Sequence, residues 1–236
     1  MEGELVEGEL VSESVPAEEA GRRASGTGHR SVAELELGCS LVRADFDAMA
    51  RLEASFYGED LITPAEEAWH WYQAFPFTTF AARDVSCEGD GARNDDDARD
   101  DAELGAIVGF VNLFPVRREV FEATLAGAFN DADLLASDVE NPFGPSDAGP
   151  DAPLNMLLSC AVVEPAWQKT GLAYRLLAGA AAQFASAIRP IASVVIDTAT
   201  DDGARFARRL GFAPVRPTDH GTYVWVHTWE GMLAAL

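Results

Sequence analysis

Hydrophobic and polar positions follow two different periods along residues 31–236, and the changes of period predict the order of strands and helices. Short apolar or alternating runs predict strands near 39–43, 78–83, 105–114, 157–163, 192–197 and 222–228. Apolar residues three and four positions apart predict helices with N-caps at Asp45 and Thr63, and further helices over 118–125, near 131–135, after Gly171 and over 204–210. Strands alternating with helices after an early meander indicate an α/β (α+β) domain, in which helices flank a mixed, largely antiparallel twisted sheet.

Three segments interrupt this pattern. Residues 1–30 combine acidic residues with serine, glycine and arginine and contain no aromatic residue, so they are predicted to be a disordered acidic tail. Residues 88–103 form an acidic insertion far longer than a hairpin needs. Residues 141–153 are rich in proline and glycine and are predicted to be a flexible connector. The remaining sequence, within 31–236, suits a single folded domain.

The acidic composition narrows the range of partners. A formal net charge of −22 disfavours binding to a nucleic acid backbone. A negative field attracts cationic amines, although the same charge also serves solubility alone. A cationic ligand therefore suits the charge of the chain better than an anionic one. The composition does not determine the oligomeric state, and a dimer is one option.

The number and spacing of the cysteines and the length of the apolar segments indicate the cellular compartment of the protein. Cys39, Cys87 and Cys160 lack the spacing of metal ligands and leave one thiol over in any disulfide scheme, so no metal site is expected and the thiols are predicted to be reduced. The sequence begins without a basic region and apolar run, and it contains no stretch of membrane-spanning length. These features predict a cytoplasmic protein that does not enter a membrane.

The segment after the 157–163 strand carries the most specific motif. The apolar run stops before Pro165, a short polar turn contains Lys169 (the only lysine of the chain) and Gly171, and an Ala/Leu-rich helix follows. This order directs unpaired backbone N–H groups of a helix N-terminus at one spot, which favours a phosphate. An ordinary strand-to-helix connection without a ligand is the alternative.

The turn and a second segment carry a family resemblance. The pattern Gln-x-x-Gly-x-Ala over Gln168–Ala173 resembles the acyl-CoA pyrophosphate loop of the GNAT superfamily of N-acyltransferases. The segment 204–212, which ends in Leu-Gly-Phe after a β-type run, is similar to the second CoA-binding segment of that family. The chain departs from the pattern at Ala207, where the family commonly has a tyrosine as proton donor, and at Thr200, where it often has an asparagine.

The resemblance implies a GNAT-type sheet with a splayed strand pair that receives acetyl-CoA as co-substrate, without a metal. Backbone groups of the first splayed strand would bind pantetheine, and those of the turn would bind the pyrophosphate, with Lys169 adding a charge. The implied CoA-binding residues are Cys160, Ala161, Val162, Val163, Gln168, Lys169, Thr170, Gly171, Leu172, Ala173 and Thr200.

Catalytic residues are less well defined by the sequence. The first splayed strand has no carboxylate, and Glu164 follows it directly. Tyr223, Trp225 and His227 share one face of the last strand, so Tyr223 could replace the missing proton donor and His227 could relay protons. An aromatic face packed on a helix explains the same alternation. Further candidate bases are Glu59, Asp60 and His70, each of which also suits a structural or solvated role.

Three classes of function remain open at the level of sequence. The first is an N-acetyltransferase, in which an amine of a small molecule or peptide attacks acetyl-CoA directly. The alternative is a non-catalytic acyl-CoA-binding regulatory domain, which Ala207 and the missing strand carboxylate favour. A third is an interaction module whose acidic segments bind a basic partner. Aromatic residues of the second helix region could line an acceptor pocket or form core: Trp69, Trp71, Tyr72, Phe75 and Phe77.

Overall fold

The computed structural model describes residues 32–38, 40–86, 105–144, 149, 152–219 and 221–236. The predicted tail at 1–30, the predicted acidic insertion at 88–103 and part of the predicted connector at 141–153 therefore lie outside the described residues.

Strands and helices alternate along the described chain largely where the hydrophobic pattern places them. The strands are β1 (Leu35–Leu37), β2 (Thr79–Asp84), β3 (Ala106–Val116), β4 (Leu154–Val163), β5 (Ile191–Thr198), β6 (Ala213–Pro217) and β7 (Tyr223–Thr228). The α-helices are α1 (Arg43–Glu53), α2 (Ala65–Ala74), α3 (Arg118–Leu125), α4 (Leu172–Ala182), α5 (Asp201–Arg209) and α6 (Trp229–Ala235). Short 3₁₀ turns at Glu59–Leu61 and Asp131–Asp133 also line the site described below.

The strands form one sheet in the order β1-β2-β3-β4-β5-β7-β6. Neighbouring strands are antiparallel except β4 and β5, which are parallel. The predicted α/β fold with a mixed, largely antiparallel sheet is thus confirmed. Helices cover both faces. Leu172, Leu176 and Met232 pack on one face, and Phe46, Met49 and Phe121 pack on the other.

Strands β4 and β5 separate part-way along their length. Their pairing runs from Leu154 with Ile191 to Leu158 with Ile196 and goes no further in the described ladder. On its other edge β4 stays paired with β3 up to Val163. The edge of β4 that follows Leu158 therefore carries backbone groups that β5 does not pair, as the predicted splay requires.

A β-bulge at Ser159 coincides with the separation. Asn112 of β3 pairs with Cys160 and Leu113 pairs with Leu158, which leaves Ser159 as the extra residue of β4. An extra residue reverses the alternation of side chains between the two faces. Cys160 consequently joins the core cluster beneath α1, whereas Leu158 belongs to the cluster beneath α4.

Two predictions about the N-terminal elements were wrong in detail. The first strand is Leu35–Leu37 rather than 39–43, because Gly38 has a φ of +68° and turns the chain toward α1. Asp45 is the third residue of α1 and not its N-cap. Its carboxylate accepts the Val42 N–H at 2.8 Å and pairs with the buried Arg83 at 2.9 Å. That tertiary partner explains why the helix begins earlier than the capping signal suggests.

The second helix and the region after α3 also differ from the pattern. Helix α2 begins at Ala65 with Pro64 in the cap position, one residue later than a cap at Thr63 implies. The helical stretch predicted near 131–135 consists of the 3₁₀ turns Asp131–Asp133 and Ala136–Asp138. The five aromatic residues of the α2 region pack against core clusters, and none of them lines the cleft described next.

Candidate active site

A cleft of about 870 Å³ opens where β4 and β5 separate. The carboxyl end of β4, the turn before α4 and the first turns of α5 line one end of it. The end of α1, the turn at Glu59–Leu61 and the turn at Asp131–Asp133 contribute residues to the other end. Separated strands leave backbone groups and side chains of both sheet faces accessible from one space.

The turn before α4 has the geometry of an anion cradle. Lys169 and Gly171 both have positive φ, at 65° and 86°, and α4 begins at Leu172. Successive residues of opposite backbone hand turn their N–H groups toward one side, and the start of α4 adds orphan N–H donors. A Cβ placed on Gly171 would meet no atom within 4 Å, so the space beside the turn is open to a ligand. These residues fit a pyrophosphate.

Side-chain contacts hold the turn in place. Gln168 donates from Nε2 to the Val163 carbonyl at 3.2 Å, and Thr170 donates from Oγ1 to the Trp167 carbonyl at 2.6 Å. The predicted roles of these two residues toward CoA therefore rest on their backbone groups. Trp167, buried in the core, anchors the preceding 3₁₀ turn.

Helix α5 brings cations to the same end of the cleft. Thr200 caps the helix, accepting the Gly203 N–H on Oγ1 at 3.0 Å, so its side chain has a structural partner already. Arg205 and Arg209 project from α5 into the cleft lining, where they join Lys169. Arg205 pairs with Asp202 of the same helix, which also lines the cleft, whereas no ion pair among the described residues includes Lys169 or Arg209. These two cations suit a polyphosphate group.

The strand residues predicted to bind pantetheine all line the cleft. Cys160, Ala161, Val162 and Val163 follow the last β4–β5 pair. The side chains of Ala161 and Val163 pack toward α4, and those of Cys160 and Val162 pack toward α1. The cleft-facing backbone of this segment can therefore pair with an extended amide chain as an additional strand would.

The other end of the cleft contains a buried carboxyl group at the end of α1. Glu53 is 7% exposed, and burial raises its pKa to about 7, because desolvation outweighs hydrogen bonds with the Cys160 side chain and the Thr63 backbone. Burial likewise raises the pKa of the Tyr57 hydroxyl and of the Cys160 thiol, with the Glu53 charge adding to both shifts. Glu53 is thus the group in this cluster that changes charge near neutral pH.

Two aspartates lie beyond Glu53. Burial raises the pKa of Asp131 to about 6, the charge of Asp197 adds to the shift, and a hydrogen bond with the Ser159 side chain opposes it. Asp197 accepts a hydrogen bond on Oδ2 from the Thr222 hydroxyl at 2.6 Å. Both aspartates line the cleft. The bulged Ser159 therefore connects the strand separation to this acidic end.

The structure places the predicted catalytic residues outside this cluster. Tyr223 pairs with Thr198 across the sheet, contacts the Trp225 ring at 5.3 Å and does not line the cleft. His227 lies against Phe212 and the first turn of α6. Glu164 is half-buried before Pro165 and does not line the cleft. Their catalytic roles remain predictions.

Two other candidate bases, His70 and Glu59, do not line the cleft either. His70 is exposed and lies 3.4 Å from Glu66, and Glu59 is exposed on its 3₁₀ turn. Nothing is described of the Asp60 side chain.

Sequence reasoning missed Glu53, Asp131 and Asp197. One signal was present for Glu53, since it follows Phe46 and Met49 on the apolar face of α1, where a carboxylate is out of place. Asp197 follows the apolar run Val194–Ile196 and lies at the separation itself. Asp131 gave no local signal, because a turn aspartate beside an asparagine cap is common.

Several solved structures are similar to the chain over 82–83% of its length. No protein family and no curated protein sequence matches the chain. Similar structures include Ard1 from Thermoplasma volcanium, at 12% identity and a TM-score of 0.47, which covers 83% of this chain and 97% of that one. Another is NAA60 from Arabidopsis thaliana with a bisubstrate analogue, at 12% identity and a TM-score of 0.48, with coverages of 82% and 97%.

A third similar structure is the GNAT-like decarboxylase GphF in complex with isobutyryl-CoA. It is 18% identical, with a TM-score of 0.49, and the likeness covers 82% of this chain and 98% of that one. Identities this low concern the fold alone.

Two further properties concern the described residues alone. None of the described helices is long and apolar enough to cross a membrane. No group of three or more histidine, cysteine, aspartate or glutamate side chains in the described ranges is arranged to hold a metal ion.

Proposed function

We propose that the chain is a GNAT-superfamily N-acetyltransferase that moves an acetyl group from acetyl-CoA to an amine of a small molecule or peptide. The observation that supports this proposal is a single cleft. An anion cradle lies at one end of it, and the buried carboxyl of Glu53, with a pKa of about 7, lies at the other. A cofactor site and a base poised near the operating pH are what direct acyl transfer needs.

The cradle end accounts for acetyl-CoA as co-substrate. The pyrophosphate would lie on the N–H groups from Gln168 to Ala173, near Lys169, Arg205 and Arg209. Pantetheine would extend along the open edge of β4 from Val163 toward Cys160. This direction places the thioester beside the bulge at Ser159, next to the carboxyl cluster.

The acidic end accounts for activation of the amine. An alkylammonium must lose a proton before it attacks, and the ionised carboxylate of Glu53 accepts that proton. The amine nitrogen then forms a bond to the thioester carbonyl carbon, the carbon–sulfur bond breaks, and CoA leaves as thiolate while the nitrogen releases its second proton to water. A thiolate has an ordinary pKa near 8.5 and takes up a proton from water. Ala207, which is fully buried in the core, offers no proton donor.

The test is acetyl-CoA turnover with a panel of small amines and peptides, read by thiol release. Glu53→Gln is expected to lose turnover while CoA still raises the melting temperature, because the cradle is untouched. A CoA-dependent rise in melting temperature without turnover of any amine would instead establish the non-catalytic acyl-CoA-binding regulatory domain. Cytoplasmic location and independence of metal stay predictions of the sequence.

A further inference from the structure

We propose that the acceptor is a primary amine that carries a second cationic group, and that Asp131 and Asp197 hold this second cation while Glu53 deprotonates the reacting amine. The inference rests on the proposed function and names the substrate class of the same site. It makes Asp131 and Asp197 specificity-determining residues.

The first argument is convergence at a cavity. Glu53 comes from the end of α1, Asp131 from a 3₁₀ turn after α3, and Asp197 from β5 at the separation. All three line the same cleft of about 870 Å³, together with the hydroxyl-bearing Ser159 and Thr222. Three distant parts of the chain thus bring carboxyl groups to one side of an accessible space, which is large enough for a small amine beside a thioester.

The second argument is electrostatic. Among the residues that the structure describes, no ion pair includes Glu53 or Asp131. The carboxyl groups also repel one another, since the charge of Asp197 acts on Asp131 and that of Asp131 acts on Glu53. Crowded, partly desolvated like charges weaken a fold unless a cation offsets them. The Ser159 hydroxyl that interacts with Asp131 brings no charge, and the Thr222 hydroxyl donates to Asp197.

The third argument is the separation of charge along the cleft. The cations in its described lining are Lys169, Arg205 and Arg209, on the turn before α4 or on α5, where Arg205 pairs with Asp202. None of these cations forms an ion pair with Glu53 or Asp131 at the acceptor end. A dication is therefore drawn to the acceptor end, and an amine with an anionic group is repelled there.

The experiment compares three acceptors of similar length: 1,4-diaminobutane, butylamine and 4-aminobutanoate. We expect kcat/KM for 1,4-diaminobutane to exceed that for butylamine by about tenfold or more, which corresponds to about 1.4 kcal/mol, and 4-aminobutanoate to be the poorest. Asp131→Asn and Asp197→Asn should reduce the ratio of diamine to monoamine toward one, mainly through KM. Asp133→Asn, an exposed residue on the same turn as Asp131, should leave the ratio unchanged.

Each outcome decides the inference. Turnover of diamine and monoamine with equal kcat/KM would overturn it and leave the acetyltransferase intact. If no amine is turned over, calorimetry of 1,4-diaminobutane against the CoA-saturated protein decides. Diamine binding that Asp131→Asn weakens and Asp133→Asn does not would uphold the cation site and reject transfer. Absence of diamine binding by the folded wild-type protein would reject the cation site as well.

Discussion

The carboxyl group of Glu53, at the end of α1, interacts electrostatically with the thiol of Cys160, two residues beyond the last β4–β5 pair. The contact joins the helical layer to the strand at the place where the sheet opens. Cys160 reaches it because the bulge at Ser159 turns its side chain toward α1. The bulge therefore both accompanies the strand separation and supplies a partner for the buried carboxyl.

The pH dependence of turnover should report Glu53. Its pKa of about 7 predicts that kcat/KM falls as the pH drops below about 7, because the protonated carboxyl cannot accept a proton. Glu53→Gln should lower kcat by about a hundredfold or more and remove this acidic limb. The exposed Glu119→Gln on α3 is the matched control and should retain the limb. An unchanged profile in Glu53→Gln would assign the base elsewhere.

The same carboxyl should weaken the fold at high pH. Between pH 4.5 and about 7 the folded state binds a proton at Glu53 that the unfolded state has released, so the free energy of unfolding decreases as pH rises through this window. Glu53→Gln should therefore increase the free energy of unfolding at pH 8 by up to about 3 kcal/mol, and so raise the melting temperature there. At pH 4.5 the substitution should change the melting temperature little. Thermal melts at both pH values measure this, and a variant less stable at pH 8 would contradict it.

Acetyl-CoA or CoA should raise the melting temperature of the wild-type protein, and Gly171→Glu should abolish the rise. A ligand that binds only the folded state, at a concentration a hundred times its dissociation constant, adds about 2.7 kcal/mol to the free energy of unfolding. The glutamate would place an anion in the open space of the cradle. Gly149→Glu is the control, because Gly149 also has a positive φ, of 96°, and open space beside it, and does not line the cleft. Equal CoA shifts in the two variants would remove the cradle assignment.

Shortening the segment between β2 and β3 should leave the protein folded. Asp84 pairs with Ala106, so the two strands already meet at the base of this connection. Replacing residues 88–102 by Asn-Gly lowers the entropy cost of closing the hairpin. Circular dichroism should show a cooperative melt, and loss of that transition would mean that the segment packs into the domain.

Tyr223→Phe tests the proton donor that the sequence suggests. The ring contacts Trp225, and the residue lies outside the cleft lining, so turnover is expected to stay within about twofold of wild type. A fall of about a hundredfold with CoA binding preserved would establish Tyr223 as the acid instead.

The sequence predicted those parts of the molecule that local interactions decide. The run from β4 through Gly171 into α4 depends on residues a few positions apart: an apolar strand, a turn with a left-handed glycine and a helix start. The same holds for α5, capped by Thr200 and followed by Gly211 with a φ of +84°. Of the residues that the sequence predicts for the cradle, all but Thr170 line the cleft, and their binding of CoA stays a prediction.

Tertiary structure alone decided the acidic end of the cleft. Glu53, Asp131 and Asp197 are far apart in sequence, and they meet only because β5 leaves β4 beyond Ile196 and the bulge at Ser159 reverses the side-chain alternation. Register and burial follow from the pairing of whole strands, and no short window of sequence contains them. The pKa of Glu53 likewise arises from the desolvation that α1 acquires by packing on the sheet.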